Sequence, residues 1–135
     1  MKDNQNDTQN HEIRIFDSGA TRDSDDGKLD YEGFLSVHVL CRYAKYMHDH
    51  RTQSDGKLRA SDNWQKGIPL TAYMKSMWRH FIDVWSVHRE FVCRESIDSN
   101  ALLDFLEESL CALMFNVMGF LHEILKKRRG GKNDD

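Results

Sequence analysis

Residues 100–127, NALLDFLEESLCALMFNVMGFLHEILKK, decide the fold. Leu102, Leu103, Leu106, Leu110, Leu113, Val117, Leu121, Ile124 and Leu125 return every three or four positions, the spacing of one face of an α-helix. A polar break containing Ser96, Asp98 and Ser99 precedes the stretch, so Ser99 or Asn100 is expected to cap the helix, with Asp104 and Glu107 complementing its positive end. Downstream, KKRRGGKNDD sets basic residues at the helix C-terminus and glycines to stop it, which leaves 128–135 as a basic and polar tail. Upstream, Leu70, Tyr73, Met74, Met77, Trp78, Phe81, Val84, Trp85 and His88 predict a second helix over 70–91, started by Thr71 or the turn at Pro69. Phe34, Val37, Leu40, Cys41, Ala44 and Met47 predict another over 31–49.

Between those helices, 50–69 holds Gly56, Gly67 and the only proline, a connection of a length that in compact domains is functional or mobile. Residues 13–33 mix aspartates and glycines and read as an irregular segment with one short strand at 13–16 and no second strand. Residues 1–12 offer nothing to bury and are expected to be a disordered tail. The chain therefore reads as one all-α domain over 13–127, with three main helices, an irregular N-terminal segment and a long loop. Two long helices bury only a thin core, and the second carries more Trp and Met than one face needs. Completion by homo-oligomerisation is expected.

Lys plus Arg number 19 against 22 for Asp plus Glu, a formal net charge of −3, which argues against a general nucleic-acid binder. Mean hydropathy is −0.70. The longest nearly apolar run, 112–121, is shorter than the ~20 residues that cross a bilayer, and the N-terminus lacks the apolar segment of a secretory signal. Cys41, Cys93 and Cys111 are odd in number and widely spaced, which suits reduced thiols. These features predict a soluble, cytoplasmic protein without a membrane partner.

Two polar strips bear groups capable of chemistry. Ser76, Arg79, His80 and Asp83 lie three and four apart on the second helix, and Asp104, Glu107, Glu108 and Cys111 do so on the third. If the helices are antiparallel and the strips face each other, the four carboxylates and the imidazole converge, and such oxygen-rich clusters hold Mg²⁺ together with substrate phosphates. The same spacing equally describes a solvated helix face. His48 and His50, with Asp49 and His38 nearby, suggest a transition metal, but two histidines two apart share a site only where the helix has ended. In SDNWQKGIP, Asn63 suits a base edge, Trp64 a purine face and Lys66 a phosphate, while the alternative role of Trp64 is to anchor the loop. FDSGATRDSDDGK sets Arg22 and Lys28 among glycines, a composition able to wrap a triphosphate.

In chain order, SGATRD followed by GK, AKYMHDH, DNWQKGIP, SMWRHFIDVW and EESLCALMFNVMGFLHEIL resemble the phage dATP/dGTP diphosphohydrolase N-terminal family, itself similar to the all-α MazG-like nucleoside triphosphate pyrophosphohydrolases. The resemblance covers about residues 17–125 and is most specific in NWQKG and RHF. It implies a MazG-like helical bundle that uses Mg²⁺ or Mn²⁺ to hydrolyse a purine deoxynucleoside triphosphate, dGTP or dATP, to monophosphate and pyrophosphate. The setting would be phage nucleotide metabolism in the bacterial host cytoplasm, including the supply of dGMP for 2-aminoadenine DNA. Asp83, Glu107 and Glu108 would then hold metal and handle the proton, with Asp104 and His80 as further ligands. Arg22, Lys28, Asn63, Trp64, Lys66 and Arg79 would bind substrate. One departure is visible: the family's paired ExxE and ExxD motifs are replaced by His80-Phe-Ile-Asp83 and Asp104-Phe-Leu-Glu107-Glu108. A non-catalytic helical phage protein that binds a host factor or a nucleotide is the alternative class.

Overall fold

A computed structural model describes residues 12–94 and 100–131, with the side chains of 91–94 excepted. Helix dominates: α1 (Tyr31–Phe34), α2 (Val37–Asp49), α3 (Leu70–Arg94) and α4 (Asn100–Gly130) follow a two-stranded sheet of β1 (Ile13–Ile15) and β2 (Thr21–Asp23). The chain divides into two compact units, one ending at Leu35 and the other beginning at Ser36.

In the first unit, β1 and β2 pair antiparallel with Arg14 opposite Arg22, so the expectation of no second strand is corrected. The turn supplies what the composition hid. Gly19 adopts φ +84°, a left-handed conformation open to glycine, and the Gly19 and Phe16 amides donate to the Phe16 and Ala20 carbonyls respectively. Arg14 pairs with Asp25.

The helix expected over 31–49 is two helices. Leu35 is extended, and the Ser36 hydroxyl accepts from the Val39 amide at 3.3 Å, an N-cap that starts α2 afresh. The Asp30 carboxylate caps α1 in the same way, from the Gly33 amide at 2.8 Å. The 50–69 connection is also more ordered than its composition suggests. A bridge between Thr52 and Leu58 folds it back on itself, and Asn63–Lys66 forms a turn of 3₁₀-helix.

Pro69 opens α3, its carbonyl accepting from the Ala72 and Tyr73 amides. α4 begins at Asn100, as expected, and runs on to Gly130, so Arg128 and Arg129 belong to its last turn rather than to a tail. The residues flanking it, among them the proposed cap Ser99, with Ser96 and Asp98, lie outside the described residues, as do 1–11 and 132–135. Tyr73, near the start of α3, meets Gly119 toward the end of α4, which makes the two helices antiparallel. Their seam buries Tyr73, Val87 and Ala112, while α2 packs on another flank of α4, beside Cys111. Among the described residues no helix is long and apolar enough to cross a membrane.

Burial also fixes a dependence on pH. Desolvation raises the Cys111 thiol above its ordinary value of 9 and the Tyr46 and Tyr73 phenols above 10, and pushes Tyr43 up to about 12. In each case the fold favours the neutral form. That stability is complete below the unfolded values and is lost as pH rises through the raised ones. The urea midpoint is expected to hold between pH 7 and about 9 and then to fall toward pH 12, with a shallower fall in Tyr43→Phe. An unchanged slope in that variant would remove Tyr43 from the effect.

Candidate functional site

A cleft of ≈ 1000 Å³ opens in the second unit between the end of α2, the folded 50–69 segment and α4. Each wall has a local cause. α2 ends at Asp49, so His50 leaves the helical path, and its Nδ1 lies 2.8 Å from the Tyr46 carbonyl. A carbonyl only accepts, so Nδ1 carries the proton and the neutral imidazole keeps its lone pair on Nε2. The Tyr46 and His50 rings lie against each other with centroids 4.0 Å apart, tilted by 33°.

The floor of the folded segment brings in two arginines. The bridge at Thr52 and Leu58 sets Arg51 beside Arg59, and the Arg51 Nε donates to the Arg59 carbonyl at 2.7 Å. The 3₁₀ turn then presents Asn63 and Trp64, and α4 closes the cleft with Phe115 and Met118. Trp64 also touches α4 edge-on, its ring 4.7 Å from that of His122. The indole therefore both anchors the loop and lines the cleft, so the two roles open to it in the sequence coincide.

Asp49 is the acidic residue of the lining, and the Lys45 ammonium at 2.5 Å holds its carboxyl below the usual range. With that charge answered, Arg51 and Arg59 set the electrostatic balance of the cleft.

The carboxylates meet an unexpected partner. Arg42, on α2, donates from Nε to Glu107 at 2.7 Å and from Nη2 to Glu108 at 2.8 Å, and the two carboxylates raise its already high pKa. The other Glu108 oxygen lies 3.8 Å from His50 Nε2, so a line of polar groups runs from Arg42 through Glu108 to the imidazole at the cleft. On α3, His80 pairs with Asp83 at 3.8 Å, and both line a shallow depression with Trp78, Arg79 and Ile82. Asp104 is exposed on α4. Convergence of four carboxylates and an imidazole is thus corrected: among the described residues no three His, Cys, Asp or Glu side chains form a metal-holding group. The two glutamates closest to such a role face a guanidinium, because α2 rather than α3 covers that flank of α4.

Of the substrate residues expected from sequence, Asn63 and Trp64 line the cleft. Lys66 is exposed at the end of the 3₁₀ turn and Arg79 lies on the α3 depression. Arg22, in β2, and Lys28, in the turn that follows, belong to the first unit. Arg42, Arg51 and Arg59 were missed. Arg42 left no signal, since it lies off the apolar stripe read for α2, and the loop arginines left none either, since their pairing needs the bridge.

No family model matches the chain, and neither does any curated protein or solved structure.

Proposed function

We propose that the protein binds a purine nucleoside triphosphate in the α2–loop–α4 cleft and hydrolyses it to the monophosphate and pyrophosphate, the reaction implied by its resemblance to the phage dATP/dGTP diphosphohydrolases. The observation that carries this reading is the lining itself: Trp64 and Asn63 share one cleft with Arg51, Arg59 and His50. Aromatic faces take bases, an amide reads a base edge and guanidinium forks take phosphate oxygens. In the reaction, a water oxygen bonds to the α-phosphorus while the bond from that phosphorus to the bridging oxygen breaks. His50 Nε2 takes the proton of the water, and Glu108 steadies the resulting imidazolium. Arg51 and Arg59 compensate the charge gathering on pyrophosphate.

Mg²⁺ or Mn²⁺ belongs to the reaction class that the resemblance implies, but the donors in this arrangement do not fit a preformed cation cage. Arg42 holds both Glu107 and Glu108, and no third donor joins them among the described residues. No step above passes through a metal. The same observation favours a second reading, a helical protein that binds the nucleotide without turning it over.

The test is pyrophosphate release from a panel of deoxynucleoside and ribonucleoside triphosphates, with Mg²⁺ and with EDTA, beside equilibrium binding of the same nucleotides. Turnover of dGTP or dATP to the monophosphate is the expected result. Binding without turnover selects the second reading, and absence of both refutes the cleft assignment. Trp64→Ala is expected to weaken purine nucleotide binding about tenfold, since stacking of one base contributes roughly 1–3 kcal/mol.

A further inference from the structure

We infer that Arg42 is the resident cation of the Glu107–Glu108 pair and that its guanidinium shuts divalent metal ions out of the place where the resemblance implies one. Glu107 and Glu108 are neighbours on α4, so their side chains leave the helix about 100° apart and only a group lying between them can hold both. Arg42 does this with one edge of its guanidinium, Nε to Glu107 at 2.7 Å and Nη2 to Glu108 at 2.8 Å. Both are the lengths of charge-assisted hydrogen bonds, and two parallel ones fix the fork in direction as well as in distance.

Three properties make this contact a stopper rather than a passing surface ion pair. The Arg42 side chain is 29% exposed against 56% for Glu107 and 45% for Glu108, so the guanidinium is the inner member of the cluster, held in the packing of α2 against α4. Its charge is permanent, so no pH at which the chain stays folded releases it. It is also tethered. A group on a short tether competes as though present at roughly millimolar concentration, the range in which a weakly held free cation would have to displace it. An incoming ion must break both hydrogen bonds, shed part of its own hydration and leave a positive guanidinium beside its double charge.

Behind the guanidinium stands a third donor. His50 Nε2, which keeps the lone pair because Nδ1 faces the Tyr46 carbonyl, lies 3.8 Å from the other Glu108 oxygen. Removing the Arg42 charge leaves two carboxylates facing an imidazole, a set of three that the described residues do not offer a metal while Arg42 is in place. Mn²⁺ accepts carboxylate oxygen and binds imidazole as well, so one substitution is enough to open the pair to it. Arg51, Arg59 and Trp64 take no part, so the exclusion holds whether or not the cleft binds a nucleotide.

The test is Mn²⁺ binding to the full chain without nucleotide, read as loss of the free-ion electron paramagnetic resonance signal up to about 1 mM, which covers weak oxygen-ligand sites. The native chain is expected to take up no Mn²⁺ through this pair. Arg42→Gln, with helical circular dichroism retained, should bind one Mn²⁺ per chain at least about tenfold more tightly than the native chain, and should lose it when Glu107→Gln is added. A second measurement needs no variant: in the native chain the Arg42 Nε–H nuclear magnetic resonance signal should stay in place through about 10 mM Mg²⁺. Saturable movement of that signal with Mg²⁺ overturns the inference. So does a folded Arg42→Gln chain that binds no more Mn²⁺ than the native one, or one whose Mn²⁺ survives the loss of Glu107.

Discussion

Gly119→Ala is expected to lower the thermal midpoint by about 6–10 °C, a large effect for the addition of one methyl group. A Cβ at this position would come within 2.4–2.5 Å of Cε1, Cζ and Oη of Tyr73, a side chain only 1% exposed. The clash is with a ring packed on every side, so α3 and α4 must separate to admit the methyl, an overlap that costs about 3 kcal/mol. Alanine recovers ~1 kcal/mol through its better helix propensity, so the net loss is about 2 kcal/mol. The distinguishing measurement is a double-mutant cycle at fixed protein concentration. In a Tyr73→Ala background, which is itself destabilised by ~3–5 kcal/mol, Gly119→Ala should cease to destabilise and show only the propensity gain. Equal losses in both backgrounds would show that the ring is not what the methyl meets.

The second large effect concerns the proposed reaction. His50→Asn should lower kcat by 10²–10⁴-fold while changing nucleotide affinity little, because asparagine retains a polar side chain but accepts no proton. The prediction rests on tautomer geometry: the Tyr46 carbonyl fixes the proton on Nδ1, which leaves Nε2, 3.8 Å from Glu108, as the basic atom. Glu108→Gln should produce a smaller loss of kcat, since it removes the charge that steadies the imidazolium, and the Arg42 ion pair with it, but leaves the proton acceptor in place. If pyrophosphate release persists at the native rate in His50→Asn, the proton goes elsewhere and His50 has no part in the chemistry. A parallel loss of nucleotide binding would instead make it a binding residue.

These two positions differ in how visible they are before folding. Gly119 sits in an apolar helical run where a glycine costs helix stability, a local conflict that the sequence displays without giving its reason. The reason is a ring 46 residues earlier in the chain, 119 − 73, on another helix. His50 appeared only as a candidate ligand beside His48, since its role depends on α2 ending one residue before it.

By itself the sequence determined the local periodic structure: the long helices α3 and α4, the turn at Pro69, and the surplus of apolar residues on α3; on α2 it found the helix but not the packed face, since Val37, Leu40 and Cys41 are exposed and Arg42, Tyr43 and Tyr46 are turned inward instead. Periodicity is a short-range property, legible wherever side chains recur at three and four. It also brought Asn63 and Trp64 forward as a pair, because neighbours in one turn stay together whatever the fold. Three local details escaped it because each rests on a particular backbone conformation: the hairpin turn at Gly19, the restart of the helix at Ser36 and the bridge between Thr52 and Leu58. Only the tertiary structure decided which strips face each other. A helical strip of Asp104, Glu107 and Glu108 carries no record of its neighbour. Packing of α2 against α4 gave the two glutamates to Arg42, 65 and 66 residues away in sequence, rather than to Asp83. Charges are matched across space by whichever helix arrives, and that choice is made by the apolar faces that bring the helices together.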